Sequence, residues 1–328
     1  MNFEITSRPS GAKKEKWLEL IKSAGLFAEG DELRTLLVYD GDEIIAAGSR
    51  EGCVLKLIAV ADSHRGEDIT ASILTELRRD AFADGYTHLF LYTKPQNRYT
   101  FESLFFYPVI ETEDFLVMEN KKDGLSDFLE SLPPAPPSGR VGAIVMNANP
   151  FTLGHRALAA RAASECDKVF LFVLSEDKSE FSPRDRLEMV RRGVADIENL
   201  TVLSTGPYLI SSVTFPTYFI KDRDRARVAA CELDVRMFCE KLAPRLGITH
   251  RYVGTEPTSR LTAEYNEILK RELPRAGITV CEVERVGTGG APISASEVRR
   301  LIKKGDTGAL RHLLPVTTIE YLQKNEFI

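Results

Sequence analysis

The stretch Pro133-Pro134-Ala135-Pro136-Pro137-Ser138-Gly139 divides this chain. Proline has no backbone N–H and its ring fixes φ, so such a run is neither helix interior nor central strand. It reads as a short polyproline spacer between two folded units. The expected organisation is one domain over residues 1–130, a linker over 131–139 and a second domain over 140–328. A chain of 328 residues is long for a single hydrophobic core, which agrees with two.

The part before the spacer reads as α+β. Met1 to Ile5 alternates like a strand, and Arg34 to Tyr39 and Glu43 to Ala47 flank the hairpin turn Asp40-Gly41-Asp42. Val54 to Val60 and His88 to Tyr92 are further strands. Asp68 to Phe82 has helical spacing, with Ile69, Ile73, Leu74, Leu77 and Phe82 on one apolar stripe. Behind the spacer, strands and helices alternate. Strands are expected at Val141 to Met146, Val169 to Leu174, Leu200 to Leu203, Tyr252-Val253 and Ile278 to Val283. Helices are expected from about Gly154, over Pro183 to Val194, and over Arg225 to Leu242, Thr262 to Glu272 and Ser294 to Lys304. Continuous apolar strands alternating with helices predict a doubly wound parallel sheet, Rossmann-like, with ligands at the carboxyl ends of the strands.

The formal net charge of -5 gives no general attraction to nucleic acid or to an anionic membrane. No apolar run approaches the roughly 20 residues of a membrane span, and the first residues lack a signal-peptide pattern. The five cysteines are scattered and form no Cys-x-x-Cys or Cys/His cluster, so no metal site is expected and a reducing cytoplasm fits.

The first strand behind the spacer runs into Asn147-Ala148-Asn149-Pro150-Phe151-Thr152-Leu153-Gly154-His155. Pro150 ends the strand, and Gly154 lets a ligand approach the backbone. His155 falls in the first helical turn, where free N–H groups and the positive dipole end suit a phosphate. An imidazole there can donate to a phosphoryl oxygen as charge builds on it. Thr152 offers a hydroxyl from the same loop, although a plain helix cap is the simpler role for it.

Three more strand ends or helix starts carry similar chemistry. Ser294 and Ser296 open a helix, and Arg299 is one turn on, within reach of the same anion. Gly287-Thr288-Gly289-Gly290, just upstream, is a flexible loop. Lys178 lies a few residues past the second strand, with Arg184 and Arg186 following, and reads as a triphosphate contact. Val253-Gly254-Thr255-Glu256-Pro257 follows a later strand with residues small enough for an adenine ring to lie against backbone. By itself the Ser294 to Arg299 segment reads first as an ordinary helix start, and the run around Lys178 as a solvated charged loop.

Taken together and in this order, the elements resemble the T/H-x-G-H nucleotidyltransferase superfamily. More narrowly, the Asn147 to His155 segment, Thr214 to Phe219, Gly254 to Pro257 with Thr262, Tyr265 and Asn266, and Ile293 to Arg299 resemble the citrate lyase ligase family. That resemblance implies His155, Thr152 and Lys178 in the chemistry. It implies Asn147, Asn149, Phe151, Gly154, Arg186, Gly254, Glu256, Ser294, Ser296 and Arg299 around the nucleotide. It implies ATP and acetate as substrates, Mg²⁺ with the triphosphate, and the acyl carrier subunit of citrate lyase as acceptor. The alternative acceptor is a phosphopantetheine-like or nucleotide precursor, which would make the chain an adenylyltransferase. The resemblance also implies an acetyltransferase-like domain ahead of the spacer. Ser63-His64-Arg65-Gly66-Glu67-Asp68 departs from that fold's coenzyme A loop, because Glu67 and Asp68 repel phosphate. A degenerate domain that positions the protein partner or its phosphopantetheine arm is expected instead. The basic segment Lys221 to Arg227 is a candidate docking surface for that arm, or simply a solvated helix start.

Overall fold

A computed structural model describes the chain apart from residues 8, 29–33, 67, 176–178, 210–222, 257–259 and 289–290, and apart from the side chains of 223–227, 261, 288 and 291. The chain forms two compact units. One comprises Met1–Asp127 with Phe215–Leu233, the other Phe128–Thr214 with Asp234–Ile328.

The first unit contains β1 (Asn2–Thr6), α1 (Gly11–Ser23), β2 (Arg34–Asp40), β3 (Glu43–Glu51), β4 (Val54–Val60), α2 (Ile69–Ala83), β5 (Phe90–Thr93), α3 (Arg98–Glu102), β6 (Tyr107–Glu111) and β7 (Leu116–Glu119). They form one mixed sheet of order β1-β2-β3-β4-β5-β7-β6. Only β4 and β5 pair in parallel, through Val54↔Phe90 and Leu55↔Leu91. The apolar stripe of α2 buries Ile69, Ile73, Leu74 and Leu77 as its spacing predicts. Phe82 departs from that expectation and is 49% exposed. The i+4 ladder from Ile69 through Ile73 and Leu77 continues to Ala81, which takes the core-facing position and leaves Phe82 rotated outward.

After α4 (Gly124–Ser131), the second unit alternates as expected: β8 (Val141–Met146), α5 (Leu153–Glu165), β9 (Lys168–Val173), α6 (Pro183–Gly193) and β10 (Leu200–Ser204). Then come α7 (Arg223–Met237), whose residues up to Leu233 count with the first unit, a π-helical turn over Phe238–Leu242, α8 (Ala243–Leu246), β11 (His250–Gly254), α9 (Arg260–Glu272) and β12 (Thr279–Val283). A short ribbon of β13 (Gly287–Thr288) and β14 (Ala291–Pro292) leads into α10 (Ala295–Lys303) and α11 (Val316–Lys324). The five long strands are all parallel, in the order β10-β9-β8-β11-β12. The chain therefore winds outward from β8 in one direction, returns, and winds outward from β11 in the other. The crevice at the carboxyl ends of β8 and β11 is the switch point of a doubly wound sheet.

The core of this unit packs Ile144, Val169, Leu171 and Val173 of the sheet against Ala159, Met189, Val190, Val298 and Leu322 of α5, α6, α10 and α11. The last helix carries no strong sequence signal and is held by tertiary contacts. Tyr321 Oη donates to Asp185 Oδ1 at 2.7 Å, and the Arg192 guanidinium lies 5.2 Å from the Tyr321 ring. The proline-rich stretch is not a free spacer at its start. The Arg245 guanidinium donates to the carbonyls of Leu132 and Pro133 at 2.8 and 3.0 Å, and Leu132 is buried.

Candidate active site

The loop after β8 is held in place by buried polar contacts. Arg186 is fully buried, and its Nη1 donates to the carbonyl of Asn147 at 3.0 Å and to the Asn147 side-chain oxygen. Its Nε donates to the Phe181 carbonyl at 3.1 Å. The Asn149 Oδ1 accepts from the Phe181 N–H at 3.1 Å, and Asn147 Nδ2 donates to Ser179 Oγ at 3.2 Å. Asn147, Asn149 and Arg186 thus pin the loop after β8 to the segment that leads from β9 to α6. Arg186 was expected on the nucleotide from the charged run that contains it. The structure places it instead beneath the loop, with no surface exposed. Phe151 is likewise fully buried, and Gly193 makes room for it: a Cβ at 193 would stand 2.3 Å from Phe151 Cε1.

Thr152 caps α5. Its Oγ1 accepts the His155 N–H at 3.3 Å, and the His155 Nδ1 accepts the Thr152 N–H at 3.0 Å. This reciprocal capping box determines the histidine's tautomer. A nitrogen that accepts a backbone N–H carries no proton, so in the neutral ring the hydrogen is on Nε2. Burial first, and the Arg285 guanidinium second, push the His155 imidazole down to about 4. At neutral pH it is an uncharged donor. Its ring is stacked on Phe151 with centroids 5.8 Å apart, so the buried Phe151 sets the plane of the imidazole.

The amides at the start of α5 are mostly taken. Leu153 N–H donates to the Leu313 carbonyl at 2.9 Å, and Arg156 N–H to the Thr152 carbonyl at 3.0 Å. Among the described residues the Gly154 N–H has no acceptor. The nearest atoms to a Cβ built at Gly154 belong to Ile293 and Thr152, each at 3.6 Å. The start of α5 therefore abuts the residue that precedes α10.

Ser294 caps α10 and its Oγ accepts the Ser296 N–H at 3.2 Å. Arg299 reaches back across the site. Its Nη1 donates to the Asn149 carbonyl at 2.6 Å and its Nη2 to Ser296 Oγ at 3.0 Å. The two helix N-termini are thereby tied to one loop, and Thr152, Gly154, His155, Asn149, Ser296 and Arg299 come together. On the other side of the switch point, the Gly254 carbonyl accepts from Asn266 Nδ2 at 3.0 Å, and Glu256 forms an ion pair with Arg285. Arg285 did not stand out in the sequence. The signal was present: it lies two residues past the carboxyl end of β12, the same kind of position that singled out Lys178. Lys178, the segment Thr214 to Phe219, Pro257, and Glu67 of the first unit lie outside the described residues, as does the Lys221 to Arg227 segment apart from the backbone of α7.

Among the described residues no group of three or more His, Cys, Asp or Glu side chains could hold a metal ion, and no helix is long and apolar enough to cross a membrane.

A sequence model of the citrate lyase ligase C-terminal domain matches residues 141–322. The chain is 42% identical over 295 residues to citrate (pro-3S)-lyase ligase of Escherichia coli (strain K12), covering 88% of this chain and 84% of that protein. It is 39% identical over 318 residues to the protein of the same name from Klebsiella pneumoniae, covering 95% and 93%. Among solved structures it is similar to an acyl-CoA N-acyltransferase from Pseudomonas aeruginosa, at 13% identity and a TM-score of 0.31, covering 37% of this chain and all of that one. A likeness that slight carries no argument about fold or activity. The sequence matches do carry one: with more than half its length matched by the family's C-terminal domain and relatives near 40% identity along most of it, the chain belongs to the citrate lyase ligase family.

Proposed function

We propose that this chain is an ATP-dependent ligase. It activates acetate as acetyl-adenylate and passes the acetyl group to the prosthetic-group thiol on the acyl carrier subunit of citrate lyase. The named activity of its relatives supports the overall reaction, and the switch-point geometry supports the adenylation step. The observation that carries the reading is the hydrogen bond from Thr152 N–H to His155 Nδ1, which leaves Nε2–H as a neutral donor beside the open Gly154 amide.

In the first step an oxygen of acetate attacks the α-phosphorus of ATP. The bond from that phosphorus to the oxygen leading to the β-phosphate breaks, and pyrophosphate leaves. Negative charge builds on the α-phosphoryl oxygens, where Gly154 N–H, His155 Nε2–H and the positive end of α5 oppose it. Such preorganised donors need no reorientation as the charge develops, and they are stronger in a half-buried site than in water. Ser294, Ser296 and Arg299 are assigned to the departing pyrophosphate, as is Lys178. In the second step the thiol sulfur attacks the acetyl carbon, the bond to the AMP oxygen breaks, and AMP leaves while the thiol proton is released. Free acetate is too poor an electrophile to form a thioester directly, so the adenylate supplies the drive. Mg²⁺, expected with ATP, would be carried chiefly by the triphosphate oxygens. The first unit is assigned the placing of the protein partner or its phosphopantetheine arm.

The test is ATP–pyrophosphate exchange with and without acetate. Exchange that depends on acetate is expected. Exchange that ignores acetate and requires a phosphorylated acceptor would identify an adenylyltransferase instead. In the same assay His155→Ala should lose roughly two to three orders of magnitude in turnover with much less change in ATP binding, as removal of one such donor does. Near-wild-type turnover would remove His155 from the chemistry.

A further inference from the structure

Glu256 was expected to contact the nucleotide, but its carboxylate is turned to Arg285. The pair is lopsided. The Glu256 side chain is 5% exposed and that of Arg285 is 31% exposed, so the carboxylate is sunk while the arginine side chain is partly open. The backbone on both sides is fixed. Arg285 N–H donates to Thr255 Oγ1 at 3.2 Å, and Thr255 N–H donates to the Val283 carbonyl at 2.9 Å. The guanidinium stem lies against Gly254, 3.7 Å from where a Cβ would stand, at the carboxyl end of the strand that borders the switch point. Its charge is felt by His155 across that crevice.

We propose that Arg285 is a phosphate-binding residue of the acyl-activation site, and that Glu256 is its positioning residue rather than a nucleotide contact. A guanidinium presents five N–H donors, and one carboxylate engages only part of that fork. Arg285 stands at the carboxyl end of the parallel sheet, as do the neutral His155 imidazole donor and the N-terminus of α5. One sunken carboxylate does not cancel the positive potential of the three, and a polyphosphate is the anion class that matches it. This inference rests on the ATP reading above.

The test uses the full chain, with ATP and inorganic pyrophosphate as probes in calorimetry. Arg285→Met removes the cation beside a sunken carboxylate, so the double variant Arg285→Met/Glu256→Gln is made beside it to keep a folded comparison. Both are expected to bind either probe at least roughly tenfold more weakly, the loss of a charge-assisted fork. Arg285→Lys should recover part of the affinity. Glu256→Gln alone should lose less, because the cation remains and only its placement is relaxed. A second readout is independent of nucleotide: the His155 imidazole, followed by NMR, should become more basic in the double variant and not in Glu256→Gln. If wild type binds ATP and the folded double variant binds it equally well, Arg285 is only the partner of Glu256 and the proposal fails alone. If wild type binds neither ATP nor pyrophosphate, the proposal and the ATP reading fall together.

Discussion

Gly154→Ala separates what the fold needs at the helix start from what a ligand needs. The residue is the second of α5, and its φ lies outside the left-handed region, so alanine meets no backbone strain. The added methyl would stand 3.6 Å from Ile293 Cβ, from the Ile293 carbonyl oxygen and from Thr152 Oγ1, all ordinary van der Waals distances. Alanine is also favoured over glycine in a helix by up to about 1 kcal/mol. The variant should therefore unfold at equal or higher urea concentration than wild type. Its activity should move the other way. The methyl narrows the gap beside the one open amide of the helix start, where the phosphoryl oxygens are assigned. Displacing them from that amide and from His155 should lower kcat/KM for ATP by roughly 100-fold, about 2.7 kcal/mol of transition-state stabilisation. Urea melts and ATP–pyrophosphate exchange measure the two effects separately. A variant as active as wild type would show that nothing needs to approach Gly154 closely, and would refute the assigned phosphate position. A marked loss of stability would refute the packing argument.

Gly193→Ala should behave in the opposite sense: a Cβ 2.3 Å from Phe151 forces that ring to move, costing roughly 1–3 kcal/mol in a urea melt and disturbing the His155 ring stacked on it. Arg186→Met should destabilise the second unit by roughly 2–5 kcal/mol, since it strips donors from the half-buried Asn147 and the buried Phe181 carbonyls; a stable variant with only weakened ATP binding would return Arg186 to the nucleotide. His155 should make stability fall as the medium is acidified. Its imidazole sits near 4 when folded against an ordinary 6.5, so between those values the unfolded chain binds the extra proton. That contribution is complete above about 6.5 and is lost as pH falls toward 4. Melts of wild type and His155→Asn at pH 7 and pH 5 check it, and an equal acid dependence in both would contradict the half-buried neutral ring.

The alternation of apolar strands with helices after residue 140 was enough to establish a parallel sheet, because burial on both faces leaves a local mark in each segment. The helix starts were legible for the same reason. Thr152 and Ser294 are capping residues whose partners are two or three positions away, so the chain itself states where α5 and α10 begin. Short-range chemistry of this kind placed His155 at a helix N-terminus and even supplied the atom that sets its tautomer. Only the tertiary structure decided which strand ends are neighbours, since pairing β8 with β11 joins residues about a hundred positions apart. That pairing places Arg285 within electrostatic reach of His155. It also separates charges that look alike in sequence. Arg186 is sealed under a loop, Glu256 is turned to Arg285, and Arg299 is tied to Asn149. Periodicity and spacing report which face a residue is on along its own element. Whether a charge on that face meets solvent, a ligand or another charge depends on elements distant in sequence, and folding alone brings those together.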